Sequence, residues 1–335
     1  MTVHALPGAQ APRSGVSTYL EAYLAPLAAW LAEPAVTDLY VNRPGELWVE
    51  RLGGAVERVD VPALDETNLW RLARQVAALS HQGVSREHPL LSAILPDGAR
   101  VQIVAPPATR GGLALAIRKH VVSDLSLADY AKAGAFDRAR TPPSRPDAAL
   151  RAMLDAGDIQ GFLAAAVRAG KNIVVSGGTS TGKTTFLNAL LKEAPRDQRI
   201  VLIEDAPEVR LVHPNAVGLV AARGEQGEAR VGVEDLLQAT LRLRPDRIIL
   251  GELRGAEAFS FLRAVSSGHP GSMTTVHADD PRGAVEQLAL MALQAGANLR
   301  RQDVIDHVER VVDVFVQLHR QDGVRAVREI VFIDR

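Results

Sequence analysis

Apolar positions recur at two periods along this chain, and each change of period marks an element. From Val16 to Leu31 and from Glu66 to Ser80 the spacing is helical, with Leu69, Leu72, Val76 and Leu79 on one face of the second segment. Between them Leu39, Val41, Leu47 and Val49 alternate around the turn Arg43-Pro44-Gly45, which predicts a hairpin of Thr37 to Asn42 with Glu46 to Glu50. Strands are also expected from Ala99 to Val104, behind Pro96-Asp97-Gly98, and from Leu113 to Lys119, behind Gly111-Gly112. This first part reads as a small α+β domain without a reaction centre of its own.

From residue 172 the two periods alternate regularly. Strands are predicted over Asn172 to Ser176, Arg199 to Glu204, Arg247 to Gly251 and Ser272 to Val276, with helices over Thr184 to Lys192, Val233 to Arg242 and Ala256 to Ser266. Such alternation implies right-handed crossovers and a mainly parallel, doubly covered sheet, an α/β fold. Val311 to Leu318 and Val324 to Phe332 flank Asp322-Gly323, a hairpin signal. Proline and charge cluster between the two parts. The chain therefore divides into residues 1–137, a Pro-rich linker at 138–148, and residues 149–335. Residues 1–13 carry Pro7, Gly8 and Pro12 without a charged start and apolar run, and are expected to be a disordered tail, not a signal peptide.

Composition narrows the class of function. There is no cysteine, so disulfides, thiolate zinc sites and thiol nucleophiles are excluded, and a cytoplasmic location fits. The longest uncharged apolar stretch, Ala22 to Ala32, contains Pro26 and falls short of the ~20 residues that span a bilayer, so any membrane association would be peripheral. A formal charge of -1 supplies no global field for DNA, and a DNA-translocating motor would need a local basic pore.

The strongest chemical signal is Gly177-Gly178-Thr179-Ser180-Thr181-Gly182-Lys183-Thr184, followed by Thr185, set between a predicted strand and a predicted helix. Triphosphate binding needs a backbone that wraps closely around oxygens, a point positive charge and a hydroxyl for the metal. The glycines, Lys183 and Thr184 supply these, and the phosphates would rest on a helix N-terminus. In open α/β sheets ligands collect at the carboxyl ends of strands, which directs attention to the polar groups there. Glu204 and Asp205, with Glu208 close behind, could hold magnesium through waters, orient the attacking water, or simply cap a strand end. Glu252 ends the next strand, where a carboxylate can polarise a water in line with the γ-phosphate. His277 could contact a phosphate or a neighbouring subunit, or be a satisfied structural histidine. Arg100 and Arg118 lie on first-domain strands and by default face solvent.

The phosphate loop, Ile203-Glu204-Asp205-Ala206-Pro207-Glu208, the run from Leu241 to Arg254 containing Arg-Pro-Asp-Arg-Ile-Ile-Leu-Gly-Glu, and Gly268-His269-Pro270-Gly271 to His277-Ala278 resemble, in order, the motifs of the secretion traffic ATPases. The likeness is strongest to the VirB-type hexameric ATPases of type IV secretion and conjugation. It implies a RecA-like P-loop ATPase domain behind the smaller α+β domain, and ATP with Mg2+. It also implies a homohexamer of two stacked rings working with inner-membrane components and other ATPases, on the inner face of the bacterial inner membrane. By that likeness Glu204, Asp205 and Glu208 form an acidic box, Glu252 is the second nucleotide-site acid and His277 ends a histidine box. Lys183 would neutralise the β and γ phosphates, and Thr184, with Asp205 and Glu252, would serve the metal. Arg100 and Arg118 match family arginines that reach the γ-phosphate. An ATP-gated assembly scaffold with little turnover and a pilus or type II secretion motor are the alternative readings; a type II relative commonly carries a four-cysteine zinc element, which this chain lacks.

Overall fold

The computed structural model describes residues 15–53, 56–120, 126–132, 134–137, 146–222, 227–296 and 299–333. The tail at 1–13 and most of the expected linker, 138–145, lie outside the described residues.

Six strands, β1 Val36–Val41, β2 Glu46–Arg51, β3 Glu57–Asp60, β4 Leu90–Ile94, β5 Arg100–Val104 and β6 Ala114–Arg118, form an antiparallel sheet ordered β3-β2-β1-β6-β5-β4. Alternation gives this sheet two buried faces. Leu39, Val49 and Ile117 join a core with Leu20, Leu69, Leu72 and Val76 of the helices Gly15–Leu24 and Glu66–Leu79. Asp65 starts the second of these helices by accepting a hydrogen bond from Asn68 N at 2.8 Å. The single helix expected from Val16 to Leu31 is instead broken into Gly15–Leu24, a 3-10 turn Ala25–Leu27 and Ala28–Ala32. Pro26 has no N–H to donate and its ring crowds the preceding turn, so it is accommodated only in the first turn of a new segment.

The second sheet holds β7 Ile173–Ser176, β8 Ile200–Glu204, β9 Ala216–Val220, β10 Arg247–Leu250, β11 Met273–Val276, β12 Val314–Gln321 and β13 Val324–Phe332, ordered β13-β12-β7-β11-β10-β8-β9. All pairings are parallel except β12 with β13. The strands β7, β8 and β10 read as nearly continuous apolar runs, and β11 is buried throughout although it carries Thr274 and Thr275, because helices cover both faces: Lys183–Leu191 and Ile159–Arg168 on one, Val233–Thr240, Glu257–Ser266 and Pro281–Leu293 on the other. Strand β9, which the apolar pattern does not predict, forms the edge.

The other face of the N-terminal sheet, Tyr40, Trp48, Ala114 and Ala116, shares one apolar cluster with Val217, Leu219 and Leu236 of the larger unit. The loop joining β5 to β6 covers the β9 edge. Val220 N donates to Ala108 O and Arg110 N to Gly218 O, each at 2.9 Å, so backbone groups that an edge strand would leave open are paired. At the opposite end of β8, Arg199 is fully buried and spans the two units: NH1 donates to Asn42 Oδ1 at 2.7 Å and to Asn215 Oδ1 at 2.5 Å, and the guanidinium lies 4.2 Å over the Tyr40 ring.

Candidate nucleotide site

The phosphate loop follows β7 and opens directly into the helix Lys183–Leu191. Its backbone explains its residues. Gly182 has φ 91° and Ser180 φ 63°, a curled path that turns successive N–H groups toward one concavity. A Cβ on Gly177 would sit 2.6 Å from Thr181 Oγ1 and 2.9 Å from Leu318 O, so only glycine fits against the neighbouring β12. Lys183 folds back along the loop, its Nζ donating to Gly177 O at 3.0 Å and Gly178 O at 3.2 Å. Burial pushes its ammonium pKa down, countered in part by the negative charge of Glu252.

Thr179, Ser180, Thr181, Gly182, Lys183, Thr184 and Thr185 line a cavity of about 500 Å³ together with Glu204, Asp205, Glu208, Glu252, Arg254, His277 and Arg325. The acids come from the carboxyl ends of β8 and β10 and the histidine from that of β11, all on the same sheet edge as the loop. Glu252 Oε1 lies 2.8 Å from His277 Nε2 and 3.9 Å from Lys183 Nζ, while its Oε2 accepts from Arg254 Nε at 2.7 Å. Arg254 NH1 also donates to Asp205 Oδ2 at 2.8 Å, so one guanidinium ties together both strand-end carboxylates. Its pKa is raised, chiefly by the hydrogen bond to Glu252. Thr184 Oγ1 donates to Glu208 Oε2 at 3.4 Å. Arg325, on the hairpin strand β13, donates from Nε to Ser180 O at 3.1 Å and closes the far side of the loop.

Glu204 differs from the other acids in being buried under the turn it precedes. Its Oε1 accepts from Glu208 N at 3.1 Å and Val209 N at 2.8 Å, and its Oε2 forms an ion pair with Arg110 of the N-terminal unit. His269, at the other end of β11, donates from Nδ1 to Ala264 O at 2.8 Å and stands apart from the cavity.

Arg100 and Arg118 are not brought to the loop of their own chain. They begin β5 and end β6, directly opposite each other, and line a separate cleft of about 370 Å³ with Arg242 and Arg244. The reason is geometric. The strands β5 and β6 are five residues long, about 17 Å at strand rise, and only the loop that joins them, which carries Arg110, lies at the nucleotide end of the larger sheet. Arg110, Arg254 and Arg325 are the residues at this site that the sequence motifs do not single out. Arg254 carries a signal, two residues after Glu252; Arg110 and Arg325 depend on which loops pack together.

Among the described residues no group of three or more His, Asp or Glu could hold a metal on its own. The donor set that is present, the Thr184 hydroxyl with Glu208 and Asp205 nearby, fits Mg2+, which keeps several waters and takes other ligands from substrate phosphates. Lys183, Arg254 and Arg325, with a loop of inward N–H groups facing the strand-end carboxylates, suit a polyphosphate with its metal.

Comparison with known proteins agrees with this geometry. Residues 147–323 match the family described as type II/IV secretion system protein. The chain is 43% identical over 307 residues to the type IV secretion system protein VirB11 of Brucella suis, covering 89% of this chain and 84% of that protein. It is 40% identical over 319 residues to the PtlH homolog of Bordetella bronchiseptica, with 93% of each covered. The crystal structure of the Brucella suis VirB11 ATPase in complex with sulphate superposes with a TM-score of 0.89 at 39% identity, over 95% of both chains. The fold is that of a RecA-like secretion ATPase, and the chain belongs to the type II/IV secretion system protein family, in the VirB11 branch.

Proposed function

We propose that this protein binds and hydrolyses ATP in the cavity at the phosphate loop and, as a homohexamer on the inner face of the bacterial inner membrane, uses the cycle to drive assembly of, or transfer through, a type IV secretion system. The observation that carries the reading is the convergence of Lys183, Glu252 and His277 on one cavity, with Glu252 within 3.9 Å of the lysine that would neutralise the γ-phosphate.

Phosphoryl transfer leaves a protein little covalent work, so positioning and charge neutralisation dominate. Loop N–H groups and the helix N-terminus hold the phosphate oxygens, and Lys183 exchanges its Gly177 and Gly178 carbonyl partners for them. Mg2+, held by the Thr184 hydroxyl with Asp205 and Glu208 facing it, would offset phosphate charge. Glu252 orients water and accepts its proton; His277, hydrogen-bonded to the same carboxylate, fixes its direction.

Arg100 and Arg118 have a place in this scheme if rings form. Two cross-strand arginines with Arg242 and Arg244 beside them make a cleft rich in positive charge, of which Arg244 is held by Glu50 at 3.0 Å and Arg118 lies 4.0 Å from Asp38. Since that cleft lies away from the chain's own loop, we assign it to the ATP of a neighbouring copy. No helix among the described residues is long and apolar enough to cross a membrane; in this reading attachment would run through partner proteins or lipid headgroups.

Purified protein, sized in solution with and without ATP and assayed for phosphate release, tests the reading. Hexamers that release phosphate support it. Rings that form on ATP yet release none would favour a nucleotide-gated scaffold instead. Lys183→Ala and Arg118→Ala chains that are inactive separately and regain activity when mixed would establish the shared site.

A further inference from the structure

Arg110 comes from the N-terminal unit yet its side chain ends against an acid of the nucleotide site. Its guanidinium and backbone are held at three points of the larger unit: NH2 pairs with Glu204 Oε2, NH1 donates to Val209 O at 2.6 Å, and the backbone N donates to Gly218 O at 2.9 Å. Burial pushes its pKa down from the ordinary arginine value, so this charge is held where water does little for it. Glu204 is buried more deeply still, at 4% exposure, and Arg110 is the cation facing its Oε2. With Oε2 so engaged, Oε1 is left to accept both Glu208 N and Val209 N. The turn 205–209 is thereby drawn onto the end of β8 from both sides, the carboxylate taking its N–H groups and Arg110 taking its Val209 carbonyl. That turn carries Asp205 and Glu208, which face Arg254 and Thr184 across the cavity.

The packing around Arg110 is built for this reach. A Cβ on Gly218 would lie 2.5 Å from Arg110 Cδ and 3.0 Å from Cγ, so the side chain passes over β9 at a point where only glycine leaves room. The middle of the side chain is clamped while its head is anchored by Glu204 and Val209, and neither end can give.

We propose that Arg110 is a positioning residue for ATP hydrolysis: through Glu204 it sets the 205–209 turn, and with it Glu208 and Asp205, against Thr184 at the metal-binding side of the phosphate loop. This rests on the ATPase reading above and adds to it a direct dependence of the hydrolytic centre on the seating of the N-terminal unit. When the β5–β6 loop is seated on β9 the acidic turn is in register; when it lifts, Glu204 loses its cation and the turn loses its tie to the N-terminal unit.

The test uses the full-length protein and its Arg110→Ala, Arg110→Lys, Gly218→Ala, Glu204→Gln and Arg110→Ala/Glu204→Gln variants. Steady-state phosphate release is measured across ATP and Mg2+ concentrations, and binding of a fluorescent ATP analogue in parallel. Misplacing a catalytic group by about 1 Å costs up to a hundredfold in rate, so Arg110→Ala is expected to lower kcat roughly ten- to hundredfold. KM for ATP should change less than about threefold, and the Mg2+ needed for half-maximal rate should rise. Arg110→Lys, which keeps the charge on Glu204 but cannot also reach Val209 O, should recover part of the loss. Gly218→Ala, which displaces Arg110 and changes no charge, should shift the Mg2+ dependence in the same direction. The double variant should be no slower than the slower single one.

Parental kcat and Mg2+ dependence in Arg110→Ala would overturn the proposal alone. So would equal losses in the alanine and lysine variants without any change in Mg2+ dependence, the pattern of a purely structural contact. A parent protein that bound the analogue and released no phosphate would overturn the ATPase reading, and this proposal with it.

Discussion

Glu252 Oε1 lies 2.8 Å from His277 Nε2, and the two residues follow adjacent parallel strands, β10 and β11. The pair stands beside Lys183, so a carboxylate and an imidazole share the ground where a γ-phosphate would meet its attacking water. This predicts a split between binding and turnover. Glu252→Gln keeps the shape and the hydrogen-bonding oxygen but cannot take a proton, so kcat should fall by about a hundredfold or more while nucleotide affinity stays near the parent's. Lys183→Ala should lose both. Isothermal titration with a slowly hydrolysed ATP analogue, set beside phosphate release, checks the pair; parental turnover in Glu252→Gln would remove Glu252 from the chemistry.

Arg254 holds Asp205 and Glu252 at once, and its removal would leave two carboxylates turned toward an incoming polyphosphate. Arg254→Ala is therefore expected to weaken ATP binding by about tenfold, with a larger effect at low salt than at high salt, because the new repulsion is screened. Titrations at two ionic strengths measure this. An affinity that matched the parent's at both would show that Arg254 is an exposed ion-pair partner and nothing more.

The part of this site that is legible in the amino-acid sequence is the part that is local in it. A phosphate loop needs its glycines, lysine and threonine within eight positions, and the strand-end acids follow apolar runs directly, so Lys183 and Glu252 stand out from their neighbours alone, whereas His277, read from its strand end, is equally a structural histidine and gains a site role only through the resemblance. Strand β9 has no alternation and sits at an edge, so Ala216 to Val220 carries no clear period. Pro26 divides a stretch whose apolar spacing is continuous on both sides, so periodicity conceals the break that the ring forces. The arginines show the limit best. Arg100, Arg110 and Arg118 sit on one hairpin, and which of them meets the nucleotide site of the same chain is decided by the direction in which that hairpin lies along β8 and β9. Nothing local in the sequence reports that direction.

Arg199 is the clearest case of a buried charge that joins the two units. Besides Asn42, Asn215 and Tyr40 it engages Leu243 O, to which Nε donates at 2.8 Å, and burial pushes its pKa down to about 10. At neutral pH it is still charged, and its removal takes the donor from Asn42 Oδ1 and Leu243 O and uncovers an aromatic face, while Asn215 Oδ1 keeps Asn42 Nδ2 at 3.0 Å. Arg199→Ala should cost about 3 kcal/mol, the scale for leaving buried acceptors unsatisfied at about 1–3 kcal/mol each. Tyr40→Leu, which removes only the ring under the guanidinium and the bond from its hydroxyl to Glu50, should cost less. Denaturant unfolding of both variants measures the difference, and equal losses would mean that the polar network around Arg199 contributes nothing beyond the stacking.

His213 gives the pH dependence a direction. It is buried in the segment between β8 and β9, with Nε2 3.1 Å from Ala194 O, and its pKa is lowered, first by burial and then by the charges of Arg196 and Arg247. A histidine whose folded pKa lies below its unfolded value binds its proton more readily in the unfolded chain. Unfolding therefore takes up a proton once the pH falls below the unfolded value of about 6.5, and the folded state loses stability from there downward. Above that value the contribution is fully present. His213→Gln keeps a donor for Ala194 O and removes the titration, so its Tm should fall less than the parent's between about pH 7.5 and about pH 5. Parallel thermal unfolding at the two pH values tests this, and equal drops in Tm would place the acid sensitivity elsewhere in the chain.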